Sequence, residues 1–377
     1  MVKLELILKK LPLLSLLLDF TLDSFFFIIR KLVSLNSNKG ENIIVVSFNR
    51  LGDTVFTIPA VKQIINSYKE NIFIFCYPES EIIYKKVFSN VKFVSISKER
   101  FFFDGRLVFR QARKELKRIY PTVIFDLTFS IQSVSLIFNS HAKEIVGSNS
   151  RRFKGIYTHY TPRRKSPHLI DMYLDAIKTK THFQDLAETK KFSRSLSTSI
   201  LGKTLLINPL AGWKAKEWNL NKYLKLIRML SKDFECTLLL HSGMIEIDVI
   251  EQISEMEINF VESKSIEELI EHIKSCSIFI GNDSGPLYIA SLLGKPTFSI
   301  YGPTNFEYSC PIGEHHHIIA QTIKCSPEKN EKWCFTQAGI FGCPTFECMH
   351  SISIDDVYFE ILDFLRKMEI PKKNPNE

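Results

Sequence analysis

Three stretches of this 377-residue chain carry residue types at spacings suited to chemistry. In SFNRLGDTVFTIPAVKQII (47–65) an apolar strand ends in a glycine-containing turn that delivers Asp53 to the start of a helix. An aspartate at the carboxyl end of a first strand is placed to take a proton from a bound hydroxyl. The same residue type is also a preferred helix cap, so position alone leaves both roles open. In LLINPLAGWKAKEWNLNKYLKLI (205–227) a strand runs into a loop with Lys214 and Lys216 between Trp213 and Trp218. A lysine there can meet the negative charge that develops on a departing diphosphate, or it can be a solvated lysine beside core tryptophans. In SIFIGNDSGPLYIASLLGKPTFSIYGPT (277–304) a buried strand leads through Asn282-Asp283-Ser284-Gly285 into a helix with Pro286 in its first turn. Unpaired N–H groups and the positive end of a helix dipole make such a start an anion site, and Gly285 permits close approach of a phosphate. A plainly capped helix is the alternative.

These stretches need elements that hold them. NIIVVSF, NIFIFCYP, VKFVSIS and TVIFDLTFS are short β-branched or aromatic runs of the kind buried on both faces of a parallel sheet, and helical segments separate them, with a basic one expected over Phe102–Arg118. The rhythm restarts with TLLINP and continues through CTLLLHS, INFVES, SIFIGND and PTFSIYGP. Alternation of this kind predicts α/β domains with open sheets, whose ligands gather at the carboxyl ends of the strands, in a cleft between two such domains. The expected division is an N-terminal extension over 1–40, a first α/β domain over 41–185, a polar linker over 186–203, a second α/β domain over 204–350, and a C-terminal helix and tail over 351–377.

Several familiar sites are excluded. No two glycines stand two apart, so no G-x-G-x-x-G dinucleotide fingerprint exists. Gly202-Lys203-Thr204 imitates the end of a P-loop, yet Ser197 stands where its first glycine belongs and a strand follows where a helix is needed. No D-x-D pair is present to clamp a metal and a diphosphate. No bound metal and no cofactor are therefore expected at the site, and helix ends and basic side chains must hold any nucleotide diphosphate.

The net charge of +8 favours an anionic partner. One basic cluster spans Arg106–Arg118, and a second holds Arg151, Arg152, Lys154, Arg163, Arg164 and Lys165 with no acid in that list. Neither accompanies a nucleic-acid-binding motif, so nucleic acid is not an expected partner. The first forty residues are strongly apolar but broken by Lys9, Lys10, Asp19, Asp23 and Arg30, too often for a spanning helix. A basic amphipathic segment lying on an anionic membrane surface is expected instead, with helices packed on the protein as the alternative. Cys325, Cys334, Cys343 and Cys348 crowd together without a standard zinc spacing, which suits a structural or redox role better than a metal. His315–His317 are expected in an exposed loop.

Taken together, Arg50 to Ala60 (RLGDTVFTIPA), Asn208 to Trp218 (NPLAGWKAKEW), Gly281 to Ala290 (GNDSGPLYIA), Gly294-Lys295-Pro296 and Tyr301-Gly302-Pro303-Thr304 strongly resemble glycosyltransferase family 9, the lipopolysaccharide heptosyltransferases. The resemblance covers about Asn42 to Leu365. It implies a GT-B architecture, two Rossmann-like domains facing a central cleft, here preceded by the apolar N-terminal helical extension. It also implies an inverting, metal-independent transfer from a nucleotide-sugar donor, ADP-heptose, to an anionic lipid-linked saccharide in the lipopolysaccharide core. By the same resemblance Asp53 is the general base, and Lys216, Asp283, Ser284 and Gly285 contact the donor diphosphate. Glu246 is the nearest match to a glutamate that holds the nucleoside. Arg151, Arg152, Arg163 and Arg164 fall in the domain that binds acceptor. The family motif ends in histidine where this chain has Tyr288, which replaces a ring able to carry charge near the diphosphate with a phenol and implies altered donor specificity or rate. The implied location is cytoplasmic, peripheral to the inner membrane. The alternatives are a transferase of the same fold using another nucleotide sugar for a surface polysaccharide, and a non-catalytic saccharide-binding relative.

Overall fold

The computed structural model describes residues 12–34, 40–103, 106–107, 109–164, 168–181, 203–243, 247–313, 315–327, 331–334, 343 and 345–368. The chain divides into two compact units, Met1–Arg164 with Leu169–Gln184, and Lys165–His168 with Asp185–Glu377.

Unit 1 opens with helix α1 (Pro12–Ser34) and continues β1 (Asn42–Ser47), α2 (Leu51–Ser67), β2 (Asn71–Cys76), α3 (Pro78–Val87), β3 (Lys92–Ser95), β4 (Phe102–Phe103), β5 (Arg106–Leu107), α4 (Arg110–Ile119), β6 (Pro121–Asp126), α5 (Ile131–Ile137), β7 (Glu144–Gly147), a 3-10 turn (Arg151–Ile156), β8 (His159–Tyr160) and α6 (Leu169–Ile177). Its main sheet has the order β3-β2-β1-β6-β7-β8, all parallel. Ile44, Val46, Phe75, Ile124 and Ile145 pack in its core. The apolar β-branched runs became central strands because both faces of a parallel sheet are covered.

Unit 2 repeats the pattern with β9 (Thr204–Asn208), a 3-10 turn (Lys214–Lys216), α7 (Leu220–Leu230), β10 (Glu235–His241), α8 (Ile247–Glu255), β11 (Phe260–Ser263), α9 (Ile266–Ser275), β12 (Ile278–Asn282), α10 (Gly285–Leu292), β13 (Thr297–Tyr301), α11 (Phe306–Ser309), β14 (His316–Ala320), α12 (Glu347–His350) and α13 (Ile354–Lys367). The strand order, β11-β10-β9-β12-β13-β14, is the same doubly wound order, again all parallel. Asn219, Ser265 and Ser353 cap α7, α9 and α13 by accepting N–H bonds from the first turn. The apolar face of α13, with Val357, Ile361, Phe364 and Leu365, is buried in the core of this unit beside Phe298 and Ile300.

Two local expectations are corrected. The helix expected over Phe102–Arg118 begins only at Arg110, and the segment before it is an antiparallel pair joining Phe102 to Leu107 and Phe103 to Arg106. The dipeptide between those strands is Asp-Gly, a strong hairpin signal that the basic run obscured. The histidines expected in an exposed loop belong in part to β14, which pairs with β13. His316 is half-buried between Thr297 Oγ1 at 2.9 Å and Ser291 Oγ at 3.3 Å. Burial, with the neighbouring His315, pushes its ring down to about 4.

Candidate active site

In each sheet the strand order reverses beside the first strand, between β1 and β6 in unit 1 and between β9 and β12 in unit 2. The carboxyl end of such a switch point is where open α/β sheets bind ligands. In unit 2 the two segments that leave this point are the Lys216 loop and the Asp283 turn. They are fastened by Asn282, which donates Nδ2–H to Pro209 O at 2.7 Å and accepts from Trp218 N at 3.1 Å and Tyr223 OH at 3.0 Å. Trp218 is itself locked, with its indole N–H on Ile352 O at 3.1 Å. Gly281 lets β12 approach β9, since a Cβ there would lie 2.9 Å from Asn208 O.

Asp283 is only 2% exposed, and three side chains bond to its carboxylate. Lys216 Nζ lies 2.6 Å from Oδ2, Thr304 Oγ1 donates to the same oxygen at 2.6 Å, and the Tyr288 hydroxyl donates to Oδ1. The Tyr301 hydroxyl stands 3.2 Å behind that of Tyr288. Burial alone would raise the Asp283 carboxyl, but the Lys216 charge and hydrogen bond, with those from Thr304 and Tyr288, outweigh it and hold the group below the usual carboxylate range. Burial and the adjacent Asp283 charge push Tyr288 well above the ordinary phenol value, so it is a neutral donor. Tyr288 thus braces Asp283 from inside the unit.

Ser284 is the N-cap of α10 and makes no side-chain cap bond, and Pro286 follows in the first turn. The first N–H groups of a helix have no partner within it, and the Lys216 ammonium, 23% exposed, is bonded to Asp283, the residue just before the cap. The arrangement can receive an anion. Lys216, Asp283, Ser284, Gly285 and Tyr288 are therefore brought together, as is Thr304, the last residue of the Tyr301–Thr304 motif. Glu246 lies outside the described residues.

In unit 1 Asp53 occupies the third position of α2, and the cap residue is Arg50. The Asp53 carboxylate makes no hydrogen bond or ion pair among the described residues and is half-buried. The capping role left open by the sequence is thus not the one it plays. The preceding turn is held by the neighbouring strand. Phe48 N donates to Thr128 Oγ1 at 2.9 Å, and Asn49 Nδ2 donates to Leu127 O at 2.9 Å. Those residues are positioned in turn by Asp126 at the end of β6, a fully buried carboxylate that accepts from Thr128 N at 2.9 Å, Ser133 Oγ at 2.8 Å and Tyr157 OH at 2.6 Å. Burial raises the Asp126 carboxyl despite these bonds. Sequence reasoning missed Asp126, although its place at the end of TVIFD was the available signal.

The arginine cluster is not one patch of unpaired cations. Arg152 Nε pairs with Asp19 of α1 at 3.1 Å, and Arg164 pairs with Asp175 at 2.5 Å and Asp171 at 3.5 Å on α6. Asp19 comes from a helix remote in sequence, and Asp171 and Asp175 come from the next helix, one and two turns into it, outside the basic run itself. Arg151 and Arg163 are exposed, and Arg163 lies over the Phe129 ring at 5.4 Å. Among the late cysteines, Cys325, Cys343 and Cys348 are unbridged thiols, and Cys343 Sγ accepts from Phe346 N at 3.1 Å. Among the described residues no three His, Cys, Asp or Glu side chains are grouped to hold a metal.

Two doubly wound units with an anion-receiving helix start in the second define the architecture of a GT-B glycosyltransferase. The sequence profile of glycosyltransferase family 9 (heptosyltransferase) matches residues 110–338, and the chain belongs to that family. It is 26% identical over 296 residues to lipooligosaccharide heptosyltransferase 2 of Campylobacter jejuni subsp. jejuni serotype O:2, covering 74% of this chain and 86% of that one. Its fold is similar to that of ADP-heptose LPS heptosyltransferase II of E. coli, with a TM-score of 0.64 at 15% identity over 87% of this chain and 99% of the other. A family 9 glycosyltransferase from Veillonella parvula gives 0.67 at 17% identity, over 88% and 100%.

Proposed function

We propose that this glycosyltransferase moves heptose from ADP-heptose onto the core of a lipopolysaccharide or lipooligosaccharide, with inversion at the anomeric carbon and without a metal. The observation that carries the reading is the Lys216–Asp283–Thr304–Tyr288 constellation beside the open start of α10, in a chain of family 9. The E. coli and C. jejuni relatives named above support the donor and acceptor class by their descriptions.

In this mechanism Asp53 takes the proton of the acceptor hydroxyl as that oxygen attacks the anomeric carbon from the face opposite the diphosphate. A single displacement then inverts the centre. As the glycosidic bond breaks, negative charge grows on the leaving diphosphate. The Lys216 ammonium and the N–H groups of Ser284, Gly285 and the first turn of α10 stabilise it. Asp283 holds Lys216 in place, and Thr304 and Tyr288 hold Asp283. Fixed cations and dipoles in this role, together with the lack of a D-x-D pair, support metal-independent departure. Glu246 is proposed to contact the nucleoside. Arg151 and Arg163 are proposed to meet the anionic acceptor directly, and Arg152 and Arg164 to shape that surface through their ion pairs. The acceptor is proposed to be lipid-linked, with the enzyme at the cytoplasmic face of the inner membrane.

The replacement of the family's histidine by Tyr288 favours a second reading in which another nucleotide sugar is the donor. Thermal shift against a panel of nucleotide sugars and nucleoside diphosphates separates the two, because a ligand that binds only the folded state raises its apparent stability. Stabilisation by ADP-heptose and ADP is expected. Stabilisation confined to uridine, guanosine or cytidine nucleotides would move the enzyme to the second reading.

A further inference from the structure

Helix α1 is built inside out. Three of its four charged side chains point into the protein. Asp19 pairs with Arg152 at 3.1 Å, and Asp23 accepts the N–H of Gly155. Arg30 is buried, donating to Ser140 O at 2.6 Å and to Ala142 O. The same inward face carries Phe26, packed edge-on against Phe138 and Phe153 at 6.0 and 5.7 Å. The contact is close, since a Cβ on Gly155 would meet the Asp23 carbonyl and lie 2.7 Å from Phe27 N.

The outward arc is the reverse. At 100° per residue, positions 13, 16, 17, 20, 24, 27, 28 and 31 fall on one side, flanked by 14, 21, 25 and 32. Leu13 is 81% exposed, Phe20 73%, Leu17 66% and Leu32 62%, and Leu14, Leu16, Phe25, Phe27 and Ile28 are each more than half exposed. The only polar residues on this arc are Thr21, Ser24 and Lys31. A stripe of this kind, about 34 Å long for 23 residues, is far larger than an ordinary scattered surface leucine. Both acids of the helix are spent inward, so the outward face has no negative charge.

Its surroundings are basic. Lys31 lies on the arc, with its ammonium over the Phe27 ring at 5.4 Å. Exposed Arg151 and Lys154 stand on the 3-10 turn that packs against α1, a turn without an acid, and exposed Lys143 follows the residue that receives Arg30. Among the described residues no helix is long and apolar enough to cross a membrane. A rigid apolar helix with a cationic border, held parallel to the protein surface by its own charges, suits an anionic bilayer surface. A second copy suits it less, because a two-fold contact through this face would set the cations of one border near their equivalents.

We propose that the outward face of α1 is a bilayer-docking surface, with Leu13, Leu17, Phe20, Phe27 and Ile28 entering the acyl boundary and Lys31, Lys143 and Lys154 meeting anionic headgroups. This deepens the reading of a lipid-linked acceptor and rests on it for its purpose, while its test does not depend on transfer.

The test uses the full chain and vesicles of phosphatidylethanolamine with one quarter phosphatidylglycerol, against vesicles of phosphatidylcholine alone. The parent is expected to sediment with the anionic vesicles at least tenfold more strongly than with the neutral ones, and to be released by salt. The triple variant Leu17→Ser, Phe20→Ser, Ile28→Ser is expected to lose at least tenfold in partitioning, and Lys31→Glu with Lys154→Glu severalfold. Phe359→Ser, an equally exposed apolar residue on α13, is expected to change nothing. Light scattering of the parent and the triple variant is expected to give the same mass. Equal partitioning of parent and triple variant overturns the proposal, as does a dimer in the parent that the triple variant reduces to a monomer without a change in vesicle binding. Circular dichroism and melting of the triple variant confirm that it is folded. Transfer to a delipidated saccharide is read in parallel. Its absence in both proteins counts against the functional reading alone, and its equal presence beside lost vesicle binding supports both.

Discussion

Replacing Lys216 by methionine tests the core of the unit 2 site, because it keeps the length of the side chain and removes its charge. Asp283 is 2% exposed and Lys216 23%, so the pair is largely shielded from water. Removing one partner of a buried pair costs about 3–5 kcal/mol. Here Thr304 and Tyr288 still donate to the orphaned carboxylate, which brings the expected loss to about 2–3 kcal/mol at pH 7. At about 2–4 °C per kcal/mol for a domain of this size class, the melting temperature of unit 2 should drop by roughly 4–12 °C. The pH dependence has a definite sign. In the parent the folded Asp283 carboxyl is depressed, so its stabilisation is complete above the unfolded value near about 3.9 and is lost as pH falls through the lower folded value. Without the ammonium, burial dominates and the folded carboxyl rises above its unfolded value. The variant then loses stability as pH climbs from about 4 toward neutrality, so its deficit relative to the parent must grow over that window. Calorimetric scans at several pH values read both effects. A melting temperature within about 1 °C of the parent, or a deficit equal at pH 4.5 and pH 7, would refute the reasoning.

Asp53→Asn is expected to lower kcat by about 10²–10⁴ while leaving donor affinity unchanged, read by single-turnover transfer beside equilibrium donor binding. Tyr288→Phe removes the hydroxyl that braces Asp283 and should cost about 1–3 kcal/mol of stability by denaturant unfolding, with donor binding weakened alongside. Tyr288→His should change donor KM or kcat and bring in a pH dependence through the histidine range, and an unchanged profile would show that the tyrosine is immaterial. Gly155→Ala forces a side chain into the backbone of α1, so faster proteolysis of that helix is expected with little change elsewhere in unit 1.

Much of the architecture was legible because parallel strands bury both faces and are written as short apolar runs. NIIVVS, TLLIN and IFIGN are such runs, and each became a central strand of its sheet. The unit 2 site was legible because its residues sit within a few positions of strand ends. Thr304 was harder to see, since its role depends on meeting Asp283 across 21 positions of chain. Asp126 was obscured for a related reason, being one polar residue at the end of an apolar strand whose partners Ser133 and Tyr157 arrive from later turns. The ion pairs of Arg152 with Asp19 and of Arg164 with Asp171 and Asp175 were not legible, because such pairing is a property of packed helices. The inside-out face of α1 could not be assigned from a run in which almost every position is apolar. Only the docking of Asp19, Asp23 and Arg30 shows which side is inward.

The most direct test of the central claim is transfer itself. Purified protein is incubated with ADP-heptose and a heptose-deficient lipopolysaccharide core acceptor in the presence of a metal chelator, and both ADP release and the anomeric configuration of the product are measured. Acceptor-dependent ADP release and one added heptose with inverted configuration are predicted, both slowed by about 10²–10⁴ in Asp53→Asn. A product of retained configuration would contradict the single-displacement mechanism, and no transfer from ADP-heptose to any core acceptor would contradict the proposed function.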